Sequence, residues 1–350
     1  MVERQTQWTD ALLGEASATN AASTQDFYIA AQASLTELRP RTLKHGDTFA
    51  LFNRFGDLGA GIASPEGLYH EDIRFLSWLR FTIEGQTPLL LSSTVQSNNA
   101  MLDVDLVNPD LRHGDAIELP KDTIHISRMK FLWNAGCYEI FVVRNFDEKM
   151  RRVRLALEFD ADFADIFEVR VFVRQSRGRV QSQVRAPDHV RFEYASLDGI
   201  SRSTEVHFSP QPNELSPNRA VFELSLQAKQ RCALFATVHC RTDHATLERD
   251  PLIAIRSARR ELRAATLRAA ALETSSSGVN ETLCRSIADI GMLVTDTENG
   301  PFPYAGVPWF ATAFGRDGLV TALQMLWIYP SLARGVWRVA FPGCHTIALG

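Results

Sequence analysis

The hydrophobic residues of this chain change their spacing near residue 250, and this change limits the folds available to it. From residue 41 to about residue 245 they alternate with polar residues, as Leu102, Val104 and Leu106 alternate with two aspartates. After residue 250 they recur every 3.6 residues instead. Alternation indicates strands that bury one face, and the longer period indicates amphipathic helices. The chain therefore combines a β part with a helical part.

The alternating segments are short and numerous, and turn-rich sequences such as SPEG and NPDLRHGD separate them. No helical pattern lies between them. Many strands without intervening helices predict a large antiparallel β-sandwich, which we place at residues 41–248. The residues expected on packed faces include Phe49, Leu51, Phe55, Ile73, Phe75, Tyr138, Ile140 and Val142.

Several helices are expected after the sandwich. Asp250 followed by Pro251 is typical of an N-cap and a first helical position, and predicts a linker helix over residues 250–274. Asn280 is the predicted cap of a second helix. A third helix is predicted to begin near Asp317, and a fourth short helix follows it. Helices with one apolar stripe need partners that cover it.

Composition and charge exclude several classes of protein. Of 350 residues, 45% are hydrophobic and 22% charged, which is ordinary for globular domains. Lys and Arg number 37 against 41 Asp and Glu, a net charge of −4, so the chain has no overall attraction to nucleic acid or to anionic membranes. No stretch approaches the roughly 20 apolar residues of a membrane helix. We expect a protein that binds neither nucleic acid nor membrane, and the oligomeric state stays open.

The N-terminus and the cysteines indicate the compartment. Residues 1–40 are rich in Ala, Ser, Thr and Gln, lack the apolar core of a signal peptide, and are predicted to form a mobile leader. Five cysteines without regular spacing do not indicate a disulfide framework. We therefore expect a cytoplasmic location.

The most unusual segment is the loop at residues 300–317, which has the sequence GPFPYAGVPWFATAFGRD. It combines three prolines with five aromatic residues and ends in Arg316 and Asp317. Sugars suit such a segment, because their C–H faces stack on aromatic rings and their hydroxyls bond to charged planar groups. Alternatively, Asp317 is the N-cap of the third helix and Arg316 its ion-pair partner. Composition alone leaves both interpretations open.

Two clusters of potential metal ligands do not lead to a predicted metal site. The acids of FDADFADIFEVR do not follow the EF-hand spacing, so a turn with helix-capping acids is favoured. His239, Cys240 and His244 are potential zinc ligands, but neighbours on a strand point to opposite faces. We assign no metal and no cofactor.

Five segments in a fixed order identify a family. LKHGDTFALFNRFGDL, GLYHEDIRFLSWLRF, VDLVNPDL and DFADIFEVR lie in the β part, and GPFPYAGVPWFATAFGRDGLVTALQMLWIYPSLARGV lies in the helical part. The first four resemble the N-terminal domain of bacterial amylo-alpha-1,6-glucosidase, or glycogen-debranching-type, proteins. The fifth resembles the opening of their helical domain. The resemblance covers residues 40–336.

The resemblance implies a fold and an activity. The fold is mainly β: a glycogen-debranching-type N-terminal β-sandwich at 41–248, the linker helix, and the first helices of an incomplete (α/α)6 barrel at 275–350. Such six-hairpin glycosidases belong to carbohydrate metabolism, and the implied activity is glycoside hydrolysis of α-1,6 bonds in branched α-glucans. The implied partner is a branched α-glucan or oligosaccharide. A different class stays open, a non-catalytic β-sandwich that binds glucan or assembles with a partner.

The resemblance also implies roles for four residues. Related (α/α)6 enzymes bind hydroxyls of a terminal glucose with an Arg-Asp pair that follows an aromatic loop. Arg316 and Asp317 match that pair, and Trp309 and Phe310 match the stacking walls. The catalytic carboxylates of such barrels usually come from later loops, so we assign no catalytic residue.

The final residues, WRVAFPGCHTIALG, depart from the family pattern and read as a truncation. A barrel of twelve helices, each of about 11–12 residues, needs well over roughly 150 residues, and residues 275–350 hold three or four helices at most. We therefore predict that the purified chain releases no glucose from a branched dextrin. We also predict that the region after residue 275 is protease-sensitive or drives oligomerisation. Measurable glucose release would contradict this prediction.

Overall fold

A computed structural model describes residues 39–59, 64–113, 116–170, 176–242 and 248–340. The predicted leader lies outside the described residues except for its last two. The strands are β1 Arg41–His45, β2 Thr48–Phe52, β3 Gly67–His70, β4 Ile73–Leu76, β5 Trp78–Ile83, β6 Leu89–Val95, β7 Met101–Val107, β8 Leu111–His113, β9 Ala116–Leu119, β10 Ile124–Trp133, β11 Gly136–Asn145, β12 Arg151–Asp160, β13 Arg179–Ala186, β14 His189–Ala195, β15 Ser201–Ser209, β16 Glu214–Ser216, β17 Arg219–Leu226, β18 Arg231–Arg241, β19 Val294–Thr297 and β20 Gly300–Pro303. The helices are α1 Ile166–Arg170, α2 Pro251–Thr266, α3 Ser277–Leu293, α4 Gly315–Met325 and α5 Pro330–Ala340.

Two antiparallel sheets dominate the β part. The larger has eight strands in the order β13-β14-β15-β18-β11-β10-β7-β6, and the smaller has four in the order β16-β17-β12-β5. Another four-stranded sheet contains β1 to β4 in sequence order. The prediction of a mainly β protein with antiparallel sheets is confirmed.

The two dominant sheets pack face to face. Phe81 of the smaller sheet stacks on Phe141 of the larger, with ring centroids 5.3 Å apart. The ring centroid of Phe159, in the smaller sheet, lies 5.7 Å from that of Phe208, in the larger sheet, with the two rings tilted. All four side chains are buried in one cluster that draws on both sheets. Burial of aromatic surface on this scale is the main source of stability for such a layer.

Both faces of β11 pack against other elements. Alternation predicted one packed face with Tyr138, Ile140 and Val142, and Tyr138 is buried; Phe141 and Val143, on the opposite face, lie in the core between the two dominant sheets. Both faces of this strand carry apolar residues, so alternation alone does not decide which face is inner. Tyr138 and Ile140 belong to a separate cluster on the outer face, where helix α2 covers them.

One of the two predicted N-caps, that of α2, is confirmed, and that of α3 is wrong. Asp250 caps α2 as predicted, since its Oδ1 accepts a hydrogen bond from the backbone N–H of Leu252 at 2.8 Å. The prediction for Asn280 is wrong, because α3 begins at Ser277. Asn280 lies within the first turn and instead accepts a hydrogen bond from the backbone N–H of Thr274 at 2.8 Å.

Two further features concern the segment between α3 and α5. Strands β19 and β20 form a hairpin, and β20 lies at the start of the segment 300–317 that the sequence predicts to be a loop, where Pro301 and Pro303 weaken a strand prediction. Helix α4 begins at Gly315, close to the predicted start.

No helix in the described part of the chain is long and apolar enough to span a bilayer.

A network of buried charges lies inside the sandwich. Arg128 donates from Nε to Oε1 of Glu139 at 2.7 Å and from Nη1 to Oδ1 of Asp57 at 2.6 Å. Nη1 also donates to the carbonyl of Phe55 at 2.7 Å. Lys130 lies 2.5 Å from the other oxygen of Glu139. The network fastens the turn at residues 53–57 to the larger sheet.

The network also sets the ionisation of its members. Burial by itself raises the pKa of Glu139, but Arg128 and Lys130 outweigh burial and hold that pKa below its ordinary value. Burial lowers the pKa of Lys130 despite the attraction of Glu139. The charges therefore depend on one another, and removal of one leaves the others buried without compensation.

Arg128→Met tests this dependence. The variant keeps the apolar stem but removes the cation that Asp57 binds and one of the two cations beside Glu139, which should lower the free energy of unfolding by about 3–5 kcal/mol. Arg144→Met, on the exposed side of β11, is the matched control and should cost less than about 1 kcal/mol. Urea unfolding followed by circular dichroism measures both. Equal losses in the two variants would contradict the account.

Candidate functional site

The aromatic loop that sequence analysis singled out lies against the β part. Trp309 is partly buried and packs on a small apolar cluster, and the guanidinium carbon of Arg170 lies 5.7 Å from its ring centroid. The buried members of that cluster are Phe49, Leu51, Tyr69, Ala164, Ile166 and Val169. Trp309 therefore fixes the loop to the sheet of β1 to β4.

Phe310 has a different environment from its neighbour. Its side chain is 47% exposed and meets Phe314 edge to face, with centroids 5.9 Å apart. The backbone groups of Gly306 and Phe310 exchange two hydrogen bonds of 3.1 and 3.0 Å. These bonds close the loop, and the ring of Phe310 lies at the surface.

Arg316 and Asp317 lie in the first turn of α4, and both are exposed. The N-cap of that helix is Phe314, so the interpretation of Asp317 as the N-cap is wrong. An acid in the first turn is stabilised by the helix dipole. The structure thus places Trp309, Phe310, Arg316 and Asp317 within one loop and the following helical turn. Of these, Trp309 faces the β part and the other three are exposed.

A second anchor joins the start of the loop to the first hairpin of the chain. Lys44 donates from Nζ to Oγ1 of Thr295 at 2.8 Å and lies 4.8 Å from the ring centroid of Tyr304. The Tyr304 hydroxyl donates to Oδ1 of Asp47 at 2.5 Å. Sequence analysis missed this anchor, because its partners lie some 250 residues apart and no local pattern links them.

Burial controls the charge of the Lys44 anchor. It lowers the pKa of Lys44 from 10.5 to about 8, and the nearby Asp47 opposes the change only in part. Burial also raises the pKa of Tyr304, and the hydrogen bond to Asp47 adds to that effect. Tyr304 therefore remains protonated and can donate to Asp47 throughout the neutral and mildly alkaline range.

A separate polar cluster lies on the larger sheet, where β14 pairs with β15. His189, Glu205 and His207 each offer one potential ligand atom, and these atoms all lie within 4.8 Å of one another. The two imidazole rings are stacked, with centroids 4.0 Å apart. Burial, together with the neighbouring His207, lowers the pKa of His189 to about 4, so this imidazole is neutral near pH 7.

The potential zinc ligands considered in the sequence separate as expected for neighbours on a strand. The ring of His239 lies 5.8 Å from that of His207, on the face of the polar cluster. Cys240 lies in the core of the sandwich, on the opposite face. His244 lies outside the described residues. Sequence analysis missed His189, Glu205 and His207, since only the pairing of two strands brings them together.

Fold and loop define a class of protein in which a large antiparallel β-sandwich is joined to helices that carry an aromatic, charged loop. Residues 43–237, more than half of the chain, match the family described as the N-terminal domain of (some) glycogen debranching enzymes. The chain belongs to this family, which confirms the resemblance seen in the sequence.

A solved structure shares the fold at low sequence identity. A protein assigned as a kojibiose phosphorylase, from the human microbiome, superposes with a TM-score of 0.53 at 10% identity, over 78% of this chain. The match covers 41% of that protein, so the present chain spans less than half of its length. A protein assigned as an aldose 1-epimerase, from Escherichia coli K12, gives a TM-score of 0.34 at 7% identity, over 58% of this chain and 98% of that one. Comparison with curated proteins gives no significant match.

The Lys44 anchor predicts a pH dependence of stability. The pKa of Lys44 is lower in the folded chain, so the unfolded chain holds more protons between pH 8 and 10.5. The free energy of unfolding should therefore rise with pH across this window, by on the order of 3 kcal/mol relative to Lys44→Met, which has no such proton. Urea unfolding of both proteins at the two ends of the window measures the difference. Lys149→Met, at an exposed lysine, keeps Lys44, and its free energy of unfolding should rise with pH as the parent's does; a rise as small as that of Lys44→Met would contradict the account.

Proposed function

We propose that this chain is the N-terminal portion of a glycogen-debranching-type glycoside hydrolase, and that it binds branched α-glucans or oligosaccharides whose α-1,6 bonds the enzyme cleaves. The observation that carries the proposal is the exposed ring of Phe310 beside the charged first turn of α4. The loop that carries this ring is held against the β part by Trp309, and the strand before it is held by Lys44. Membership of the debranching-enzyme family supports the substrate class.

Each residue of the loop has a chemical role in this proposal. Phe310 supplies a flat apolar face for the C–H side of a glucose ring, and Trp309, which packs on the β part, holds the loop in place. The guanidinium of Arg316 donates to sugar hydroxyls, and the carboxylate of Asp317 accepts from them. A rigid loop loses little conformational entropy when the sugar binds, which favours affinity.

We propose that the chain alone does not hydrolyse glucans. Glycoside hydrolysis requires a carboxylic acid that protonates the leaving oxygen and a second carboxylate that acts as base or nucleophile. Among residues 300–340 the sequence has one carboxylate side chain, that of Asp317. We assign it to binding. We propose that residues 275–350 are the opening part of a helical barrel whose catalytic groups lie on other segments.

A non-catalytic assembly module is the second candidate. It is favoured by the outer surface of α4 and the turn after it, where large apolar side chains face solvent. Leu323 is 74% exposed and Trp327 67% exposed. Apolar residues of this size at a surface are typical of a contact with another protein or another part of the same protein.

Asp317→Ala tests the binding proposal. The loss of a charged acceptor should weaken binding of a branched dextrin by roughly 10-fold or more, since hydrogen bonds to charged groups contribute about 1.5–3 kcal/mol. Folding should change little, because a first-turn acid contributes about 0.3–1 kcal/mol. Gln324→Ala, at an exposed position of the same helix, is the matched control. Affinity is measured by titration calorimetry and folding by thermal unfolding.

The same titrations separate the candidates. Binding that Asp317→Ala weakens, without glucose release, supports glucan recognition by this loop. No binding to any branched dextrin, together with concentration-dependent association, would favour the assembly module instead. Glucose release by the purified chain would refute the proposed division between binding and catalysis.

A further inference from the structure

The polar cluster on the larger sheet contains no residue of the aromatic loop. We propose that His189, Glu205 and His207 form a binding site for one divalent transition-metal ion of the zinc class. Two imidazoles and one carboxylate are a donor set that such ions accept. All three side chains project from paired strands, β14 and β15, so their backbone positions are fixed by the sheet.

The spacing of two donors fits a shared ion. Nε2 of His207 lies 3.5 Å from Oε2 of Glu205. This separation is long for a hydrogen bond, but it is close to the roughly 3.3–3.6 Å between two ligands of a tetrahedral zinc ion with bonds of about 2.0–2.2 Å. The third donor lies within 4.8 Å of both. At the tetrahedral separation of about 3.3–3.6 Å, the ligand atom of His189 needs to approach the other two by up to about 1.5 Å.

The histidines have few partners for their buried nitrogens. Among the described residues, Nε2 of His189 makes no hydrogen bond, and Nε2 of His207 has the carboxylate of Glu205 at 3.5 Å, with poor hydrogen-bond geometry. A buried polar atom without a partner is costly and calls for an explanation such as an ion. Coordination by a metal would satisfy both atoms at once.

A neighbouring arginine orients the carboxylate as metal sites require. Arg241 binds Oε1 of Glu205 at 3.0 Å, which leaves Oε2 directed at His207. An outer partner of this kind fixes ligand orientation in metal sites.

Metal binding requires one rearrangement of the histidine rings, and this rearrangement is a measurable sign that the ion has bound. The rings of His189 and His207 are now stacked with an interplanar angle of 18°. Imidazole lone pairs lie in the ring plane, so stacked rings cannot both point at one ion between them. At least one ring must rotate out of the stack when the ion binds.

The experiment uses the full chain without an affinity tag, stripped with EDTA and dialysed. Titration calorimetry with ZnCl₂ should give one ion per chain. His189→Ala and His207→Ala should each weaken binding at least 10-fold. His125→Ala is the matched control, since His125 pairs with Asp105 elsewhere on the same sheet, and it should bind zinc as the parent does.

A second measurement on the parent protein keeps the proposal testable if a variant misfolds. Zinc should shift the ring resonances of two histidines in the NMR spectrum, and Co²⁺ should give the visible absorption of a four-coordinate site. Failure of the parent to bind zinc at one equivalent would overturn the proposal. So would unchanged affinity in both folded variants, because the ion would then be held elsewhere.

Discussion

The buried network around Arg128 fixes the register on which the rest of the structure depends. Lys130 and Glu139 are directly paired residues of β10 and β11, and Arg128 reaches across to Glu139 and Asp57 from the same face. A slip of one residue would turn Glu139 to the outer face and leave two buried cations without their partner. Apolar packing tolerates such slips better, since both faces of β11 are apolar.

The register in turn determines where the helical segment lies. With Glu139 inside, Tyr138 faces outward, and its hydroxyl donates to the carbonyl of Glu248 at 2.8 Å. Trp133 on the same outer face donates to Glu261 of α2 at 3.1 Å. These contacts hold α2 on the larger sheet, and the Lys44 anchor then holds the segment that follows α3. The aromatic loop is thus positioned by the β part from two sides.

Much of the fold could be predicted from the sequence, because its signals are local. Alternation identified the antiparallel sheets, and Asp250 with Pro251 located the start of α2. The inner face of β11 could not be predicted from alternation. Glu139 is buried with its cationic partners, but in the sequence it has the same pattern as a glutamate exposed to solvent. Pro301 and Pro303 concealed the β19–β20 hairpin for a similar reason, as a short hairpin tolerates residues that a central strand excludes.

The candidate site also has features that the sequence predicts and features that it does not. Composition located the loop from Trp309 to Asp317, because aromatic and charged residues are concentrated there in one stretch of sequence. It could not show that Trp309 is turned toward the β part while Phe310 is exposed, since this depends on contacts with strands far away in the chain. The cluster of His189, Glu205 and His207 was missed because it exists only once two strands pair in the observed register.

The most direct test of glucan recognition by the anchored loop is a crystal structure of the chain with a branched maltooligosaccharide. The account predicts a glucose ring stacked on Phe310, with hydroxyls bonded to Arg316 and Asp317. A shallow depression of about 360 Å³ on the β13–β14 hairpin offers the sugar a different polar surface. Its lining residues are Gln181, Ser182, Gln183, Arg191 and Glu193. Sugar bound in that depression, with the loop from Trp309 to Asp317 empty, would contradict the account.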